Sequence, residues 1–176
     1  MAVARIRPGR AEEAQALIAI ERRAVRLLRG HEAHALFAAL TTAPETHARA
    51  AAQGRSWVAE ADARAVGYAL YELPDGPEAA AHLLQMDVDP AYGRRGIGRA
   101  LLERACQAAA AQGAREIVLT TLADVPWNAP FYAGAGFVTV PEQAYTPQLR
   151  AILARERAAG FPMHLRVAMR RALRED

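Results

Sequence analysis

The segment from Asp89 to Arg99 joins an apolar, strand-like run to a long alanine-rich run, and it contains three glycines, Gly93, Gly96 and Gly98. Glycine lets the backbone take a positive φ and approach a ligand closely. A helix that begins at such a turn leaves amide groups free, and its dipole favours an anion there. Positive charge is added by Arg94, Arg95 and Arg99. The turn therefore predicts a phosphate or pyrophosphate ligand.

Two common phosphate motifs do not fit this turn. The dinucleotide-binding pattern Gly-x-Gly-x-x-Gly fails because its third glycine would fall on Leu101. A P-loop fails because no Gly-Lys-Ser or Gly-Lys-Thr is present. On the glycines alone, a tight structural turn remains an alternative.

A longer pattern around the turn is more specific. Val88-Asp89-Pro90, followed by Arg-Arg-Gly-Ile-Gly-Arg-Ala-Leu-Leu, resembles the acetyl-CoA motif Gln/Arg-x-x-Gly-x-Gly/Ala of the GNAT N-acetyltransferase superfamily. A second block of that family follows at its usual distance, as Asn128, Phe131-Tyr132 and Gly136-Phe137. The resemblance covers residues 80–140 closely and the order of elements elsewhere loosely. It departs at Gly93, where the family has Gln or Arg, and Arg94 or Arg95 would then supply the missing phosphate contact.

The resemblance implies acetyl-CoA as co-substrate, with no metal. In the family, the strand before the turn splays away from the next strand, and the pantetheine arm lies in the gap, paired with backbone groups like an added strand. An amide of the same region polarises the acetyl carbonyl. The residues that the resemblance assigns to the cofactor are Met86, Asp87, Val88, Arg94, Arg95, Gly96, Ile97, Gly98, Arg99, Asn128 and Tyr132.

Acetylation of an amine needs a base and an acid. An alkylammonium with a pKa of about 10.4 is neutral only about once in 10³ molecules at pH 7, and the leaving thiolate needs a proton. Tyr132 matches the family's general acid, particularly if its pKa is lowered; the alternative is a tyrosine of the core or rim. His82 is a candidate base because some family members carry a glutamate near that position. A structural role is favoured for His82, and Glu72 and Asp124 are alternative bases.

The orientation of His82 depends on the regularity of its strand. In a regular strand it shares a face with Leu84 and Met86, since side chains alternate with period 2. A bulge near Met86, which the family often has, would shift that count by one.

The acceptor site is less defined. Acceptor specificity in the family usually comes from segments that correspond to 29–35 and 141–162. Glu32 would suit a cationic amine, although an exposed glutamate is the default. Asn128 would contact pantetheine or cap a helix. Trp127 is expected in the core rather than lining the acceptor pocket.

Periodicity predicts a mixed α/β domain spanning residues 1–176, with a central sheet flanked by helices. The predicted strands are Val3–Arg7, Ser56–Ala61, Ala65–Leu73, Ala80–Val88, Arg115–Leu122, Phe137–Val140 and His164–Leu173. The predicted helices are Ala11–Leu28, His31–Ala52 with a bend near Pro44, Gly96–Gln112, Trp127–Ala133 and Thr146–Ala159. The alanine-rich helix contains Cys106, which we expect to be a small core residue.

Composition narrows the function classes. The net charge is only +3, which does not favour a nucleic-acid partner. No apolar run reaches the roughly 18 residues of a membrane span, and no signal-peptide core is present, which predicts a cytoplasmic protein. We therefore expect acetyl transfer from acetyl-CoA to the primary amine of a small molecule, with a homodimer compatible with the sequence. The alternatives are a catalytically silent acyl-CoA sensor and an acetyltransferase for protein N-termini or lysines.

Overall fold

Seven strands form one mixed sheet in the computed structural model, which describes residues 4–76 and 80–173. The strands are β1 (Arg5–Pro8), β2 (Ser56–Ala61), β3 (Arg64–Glu72), β4 (Ala81–Val88), β5 (Glu116–Leu122), β6 (Val138–Thr139) and β7 (Arg166–Ala172). Their spatial order is β1-β2-β3-β4-β5-β7-β6, and every neighbouring pair is antiparallel except β4 and β5. The mixed α/β fold expected from periodicity is therefore confirmed.

Among the residues that the structure describes, six α-helices flank this sheet: α1 (Ala14–Ala24), α2 (His34–Ala39), α3 (Pro44–Ala52), α4 (Ile97–Ala111), α5 (Ala129–Gly134) and α6 (Pro147–Ala158). Short 3-10 turns extend α1 at both ends, at Ala11–Glu13 and Val25–Leu28. Within the described ranges, no helix is long and apolar enough to cross a membrane.

Most predicted elements are present, with bounds that differ by one or two residues, as for α5 and β6, and two differences are instructive. The single bent helix expected over His31–Ala52 is wrong: α2 ends at Ala39, and α3 begins afresh with Pro44 in its first turn. Proline suits that position because its missing N–H would have no helical acceptor there. The last strand begins at Arg166 rather than His164, after a 3-10 turn. Val3, the first residue of the first predicted strand, lies outside the described residues.

Strands β4 and β5 pair over only two positions, Ala81 with Ile117 and His82 with Val118. Beyond them β4 continues against β3, while β5 pairs along its whole length with β7. The two parallel strands therefore diverge and leave a gap in the sheet, as the resemblance implied.

A bulge in β4 changes which of its side chains point to each face of the sheet. Leu70 on β3 pairs with Gln85 and the next residue, Tyr71, pairs with Leu83, so Leu84 has no partner. The bulge therefore lies at Leu84, and it places Leu83 and Met86 together in the core cluster beneath α4. The regular-strand expectation that Leu84 and Met86 share one face does not hold, because an extra residue shifts the alternation by one.

Helix α4 and helix α1 cover opposite faces of the sheet. Helix α4 buries one stripe at helical spacing, which includes Leu101, Ala105 and Cys106. Cys106 is a buried core residue, as expected, and burial raises its pKa to about 11. On the other face, Leu17 and Ile20 of α1 pack on Tyr68 and Leu70 of β3.

Candidate functional site

The turn before α4 forms a cradle of backbone amides. Gly96 occupies the N-cap with φ +77°, and Arg94 has φ +61°. The helical ladder starts with the bond from Ala100 N to Gly96 O, 3.0 Å long. The amides of residues 97–99 therefore precede the ladder and point out of the helix end, where a phosphate would be favoured.

Two glycines of this turn differ in their surroundings. A Cβ on Gly98 would meet only Phe131 at 3.6 Å and Val88 at 3.8 Å, which is ordinary contact. A Cβ on Gly93 would lie 3.2 Å from the carbonyl oxygen of Pro90. The turn itself thus crowds the position at which the family has Gln or Arg.

The three arginines beside the glycines have different roles. Arg99 donates a 2.8 Å hydrogen bond to Gly134 O and contacts Glu103 at 3.2 Å, so its side chain fastens α5 to α4. Arg95 donates to Ala91 O at 3.0 Å and lies over the Tyr92 ring. Of these three arginines, Arg94 is the one whose side chain makes no hydrogen bond, ion pair or ring contact with a described residue.

A cavity of about 540 Å³ opens where β4 and β5 diverge. Its walls come from both strands and from α1, α5 and α6, and residues 82–88 of β4 line it without interruption. The predicted positions Met86, Asp87, Val88, Asn128 and Tyr132 all lie on this cavity, next to the cradle.

Tyr132 lies in the wall with its ring held between two phenylalanines. The rings of Phe131 and Phe137 pack edge-on at 5.2 and 5.6 Å, and the residue is 8% exposed. Its hydroxyl makes no hydrogen bond to any described residue. Burial raises its pKa, and the nearby Asp87 charge adds to the rise. The lowered pKa considered for this residue is thus wrong, and the phenol stays protonated at neutral pH.

His82 lies on the cavity but is only 6% exposed. Burial lowers its pKa to about 4, so the imidazole is neutral at pH 7 and a weak base. Of the alternative bases, Glu72 lines the cavity and contacts Arg49 at 3.5 Å, whereas Asp124 is bonded to His31 at 3.0 Å and does not line it. Glu32 also lies outside the cavity, where it pairs with His164.

Trp127 and Asn128 lie directly before α5, and both have side chains on the cavity. Trp127 is 49% exposed and lines the cavity, so the core position expected for it is wrong. Asn128 occupies the N-cap position, yet its side chain makes no capping bond. Its side chain is therefore available to the cavity.

Two carboxylates that were not predicted to act together, Glu21 and Asp87, form a pair on the α1 side of the cavity. Tyr68 donates from one hydroxyl toward Asp87 at 3.3 Å and toward Glu21 at 3.4 Å. Burial raises the pKa of Asp87 to about 6, and burial together with Asp87 raises the pKa of Glu21. A signal existed, because Glu21 interrupts the apolar stripe that begins with Leu17 and Ile18.

A buried ion pair forms the opposite wall. Arg166 binds Glu156 in bidentate fashion, Thr120 donates to the same carboxylate, and Arg166 stacks over Phe161 at 5.0 Å. Sequence reasoning did not single these residues out. No group of three or more potential metal-binding side chains occurs within residues 4–76 and 80–173.

Proteins of known structure share this fold, and a family model matches most of the chain. The model of the acetyltransferase (GNAT) family matches residues 17–137. The PaiA N-acetyltransferase from Thermoplasma acidophilum, solved with coenzyme A, is 17% identical with a TM-score of 0.70, over 97% of this chain and 99% of that one. The ribosomal-protein-S18-alanine N-acetyltransferase from Escherichia coli is 18% identical with a TM-score of 0.66, over 99% and 96%.

A third similar structure is N-acetylglutamate synthase from Neisseria gonorrhoeae, solved with coenzyme A and N-acetyl-glutamate. It is 17% identical with a TM-score of 0.71, and the match covers 99% of this chain and 36% of that one. At such identities the structures share the fold alone. The family model, by contrast, spans the amide cradle, the diverging strands and Tyr132 together. The chain therefore belongs to the acetyltransferase (GNAT) family.

Proposed function

We propose that this chain is an acetyl-CoA-dependent N-acetyltransferase whose acceptor is the primary amine of a small molecule. The observation that carries the proposal is the position of Tyr132. Its protonated hydroxyl lines a cavity beside the amide cradle and is free of hydrogen bonds to the described residues. A hydrogen-bond donor in that place is what a departing thiolate needs.

Acetyl-CoA fits the site in two parts. The pyrophosphate would lie on the amides of residues 94–99, where Gly96 has a positive φ and a Cβ built on it would meet nothing within 4 Å, so that a ligand can approach closely. The pantetheine arm would lie along Met86–Val88, whose strand has no partner on the β5 side. Asn128 would contact it from the start of α5.

The proposed reaction is a direct attack of the amine on the thioester. Tyr132 donates a hydrogen bond to the sulfur as the carbon–sulfur bond breaks. Because burial raises the pKa of Tyr132, the residue acts first as a donor to the developing thiolate, and net proton uptake by the sulfur is completed from solvent.

A small acceptor suits the walls of the cavity, since α1 and α6 flank it and a volume of about 540 Å³ matches small-molecule sites. The similar structures include enzymes named for a ribosomal protein and for glutamate, so the fold does not select the acceptor. The alternatives are acetylation of a protein N-terminus or lysine, and a silent acyl-CoA sensor.

A screen tests the proposal. Purified protein and acetyl-CoA are incubated with small amines, amine-bearing antibiotics and peptides, and thiol release is followed with mass detection of the acetylated product. We expect turnover with small amines. Turnover of peptides alone would favour the protein acetyltransferase, and coenzyme A binding without any turnover would favour the sensor.

A further inference from the structure

Two carboxylates on the α1 side of the cavity share a single hydroxyl donor. The Tyr68 hydroxyl lies 3.3 Å from Asp87 Oδ2 and 3.4 Å from Glu21 Oε2. One hydroxyl carries one proton, so it can satisfy only one of the two at a time. No arginine, lysine or histidine forms an ion pair with either carboxylate in the described part of the chain. The pair therefore lacks a cation.

One oxygen of Asp87 is open. Both hydrogen bonds that Asp87 accepts, from Gln85 Nε2 at 2.7 Å and from Tyr68, go to Oδ2. Oδ1 accepts none from the described residues, and Asp87 lines the cavity. Glu21 differs, because its two oxygens also accept from the amide of Thr42 at 3.2 and 3.0 Å. Glu21 is thus held in place, while Asp87 has an oxygen available for a ligand.

The wall beyond Glu21 is apolar. Ala24, Val25 and Leu28 follow it on the same face and line the cavity. Phe37 packs against Leu28 at the end of this wall. At about 1.5 Å of rise per residue, the face extends roughly 10 Å from the carboxylates. Two further apolar side chains line the cavity and are partly exposed, Leu27 and Trp127.

We propose that Glu21 and Asp87 form the ammonium site of the acceptor, that Asp87 Oδ1 takes the proton which the amine must lose, and that the acceptor is a primary amine with an uncharged apolar body. This inference rests on the proposed N-acetyltransferase activity. An α-amino acid is disfavoured, because its carboxylate carbon is only two bonds from the ammonium nitrogen and would lie beside two like charges.

The protons balance as follows. The bound ammonium transfers one proton to Asp87 Oδ1 and becomes a neutral amine. The nitrogen lone pair then forms the bond to the carbonyl carbon, the carbon–sulfur bond breaks, and its electron pair leaves with the sulfur. The nitrogen loses its second proton to solvent as the amide forms, and the sulfur, hydrogen-bonded by Tyr132, takes one proton from solvent. Asp87 returns its proton to solvent, so one proton is released per turnover.

The pH profile of kcat/KM distinguishes this role from a merely structural one. With 2-phenylethylamine as acceptor, kcat/KM of the wild type should rise with pH through a pKa near 6. It should then stay level until the amine itself deprotonates near pH 10. The groups that face Asp87 are Glu21, Tyr68 and Tyr132, and the two tyrosines stay protonated over this range. In Asp87→Asn, kcat/KM should be about 10²-fold lower than in the wild type at pH 7. Above pH 7 it should rise tenfold per pH unit, because only the free amine reacts.

Control measurements show whether a variant has lost the proton acceptor or has lost its folded structure. Affinity for coenzyme A, measured by calorimetry, should stay unchanged in Asp87→Asn and in Glu21→Gln. Glu21→Gln should raise KM for the amine and keep the level profile. Glu45→Gln, on the exposed side of α3, removes a carboxylate outside the cavity and should match the wild type throughout. A wild-type profile and rate in Asp87→Asn would overturn the proton-acceptor role.

A matched substrate set tests the acceptor class even if Asp87→Asn does not fold. 2-Phenylethylamine should exceed L-phenylalanine by about 10²-fold in kcat/KM, since the latter adds only a carboxylate beside the amine. 2-Phenylethanol, which cannot supply a cation, should be inert. Equal or faster turnover of phenylalanine would overturn the inference and leave the proposed function standing. Failure of every amine, with coenzyme A still bound, would defeat both.

Discussion

The guanidinium of Arg166 binds the carboxylate of Glu156 through two hydrogen bonds, 2.6 Å from Nη2 to Oε1 and 3.1 Å from Nε to Oε2. The two side chains are 6% and 14% exposed, so both charges are largely removed from water. Arg166 also donates to Thr120 Oγ1 at 3.0 Å. This pair joins α6 to β5 and β7 and closes one wall of the cavity.

Arg166→Met should therefore destabilise the protein strongly, because it leaves Glu156 charged and buried without a partner. We expect a loss of about 3–5 kcal/mol in the free energy of unfolding, measured by urea denaturation. Arg166→Met combined with Glu156→Leu should recover much of that loss. Arg170→Met, on the same strand but exposed, should change stability by less than about 1 kcal/mol. Equal losses in the two arginine variants would show that the buried pair has no special role.

The amide cradle is tested at Gly98. Gly98→Asp places a negative charge where the pyrophosphate is expected, while the methylene itself fits against Phe131. Gly98→Asn has nearly the same shape without the charge and serves as the matched control. Coenzyme A should bind Gly98→Asp at least about tenfold more weakly than Gly98→Asn in calorimetry. Equal affinities would place the phosphates elsewhere.

The role of Tyr132 is tested by removing its hydroxyl alone. Tyr132→Phe should lower kcat by about 10²-fold and keep coenzyme A affinity, because the donor is needed only as the thiolate leaves. Tyr145→Phe removes a hydroxyl outside the cavity and should leave kcat unchanged. If Tyr132→Phe retains the wild-type kcat with a good acceptor, the tyrosine is a packing residue.

His82 should influence stability rather than the catalytic pH profile. Its pKa in the folded state is about 4, against about 6.5 when unfolded, so the unfolded state binds the proton first as the pH falls. The stability that comes from keeping His82 neutral is present above pH 6.5 and is lost on the way down to pH 4. Between pH 7 and pH 5 the wild type should lose about 2 kcal/mol more than His82→Gln in urea denaturation.

The same variant separates His82 from Asp87 in catalysis. His82→Gln should keep the rise of kcat/KM near pH 6, because that limb is assigned to Asp87. Disappearance of the limb in His82→Gln would return the base role to the histidine.

Short-range patterns in the sequence were sufficient for most of the strands and helices and for the turn that forms the cradle. The hairpin pattern, two strand-like runs joined by the polar turn at residues 62–64, placed β2 at its observed bounds, Ser56–Ala61. The glycines and arginines of 93–99 indicated an anion site, since free amides at a helix start are a local property. The resemblance of residues 128–137 to the second GNAT block marked Tyr132 as a candidate acid.

Only the tertiary structure decided how these parts act together. Leu84 bulges because β3 and β4 must pair on both sides of it, and that shift is absent from the local pattern. Glu21 and Asp87 are 66 positions apart in the sequence, yet both reach the hydroxyl of Tyr68. Their raised pKa values and the lowered pKa of His82 come from desolvation by distant elements. Burial depends on what the whole chain packs around a group, so the identity of the proton acceptor could not be predicted from its neighbours in sequence.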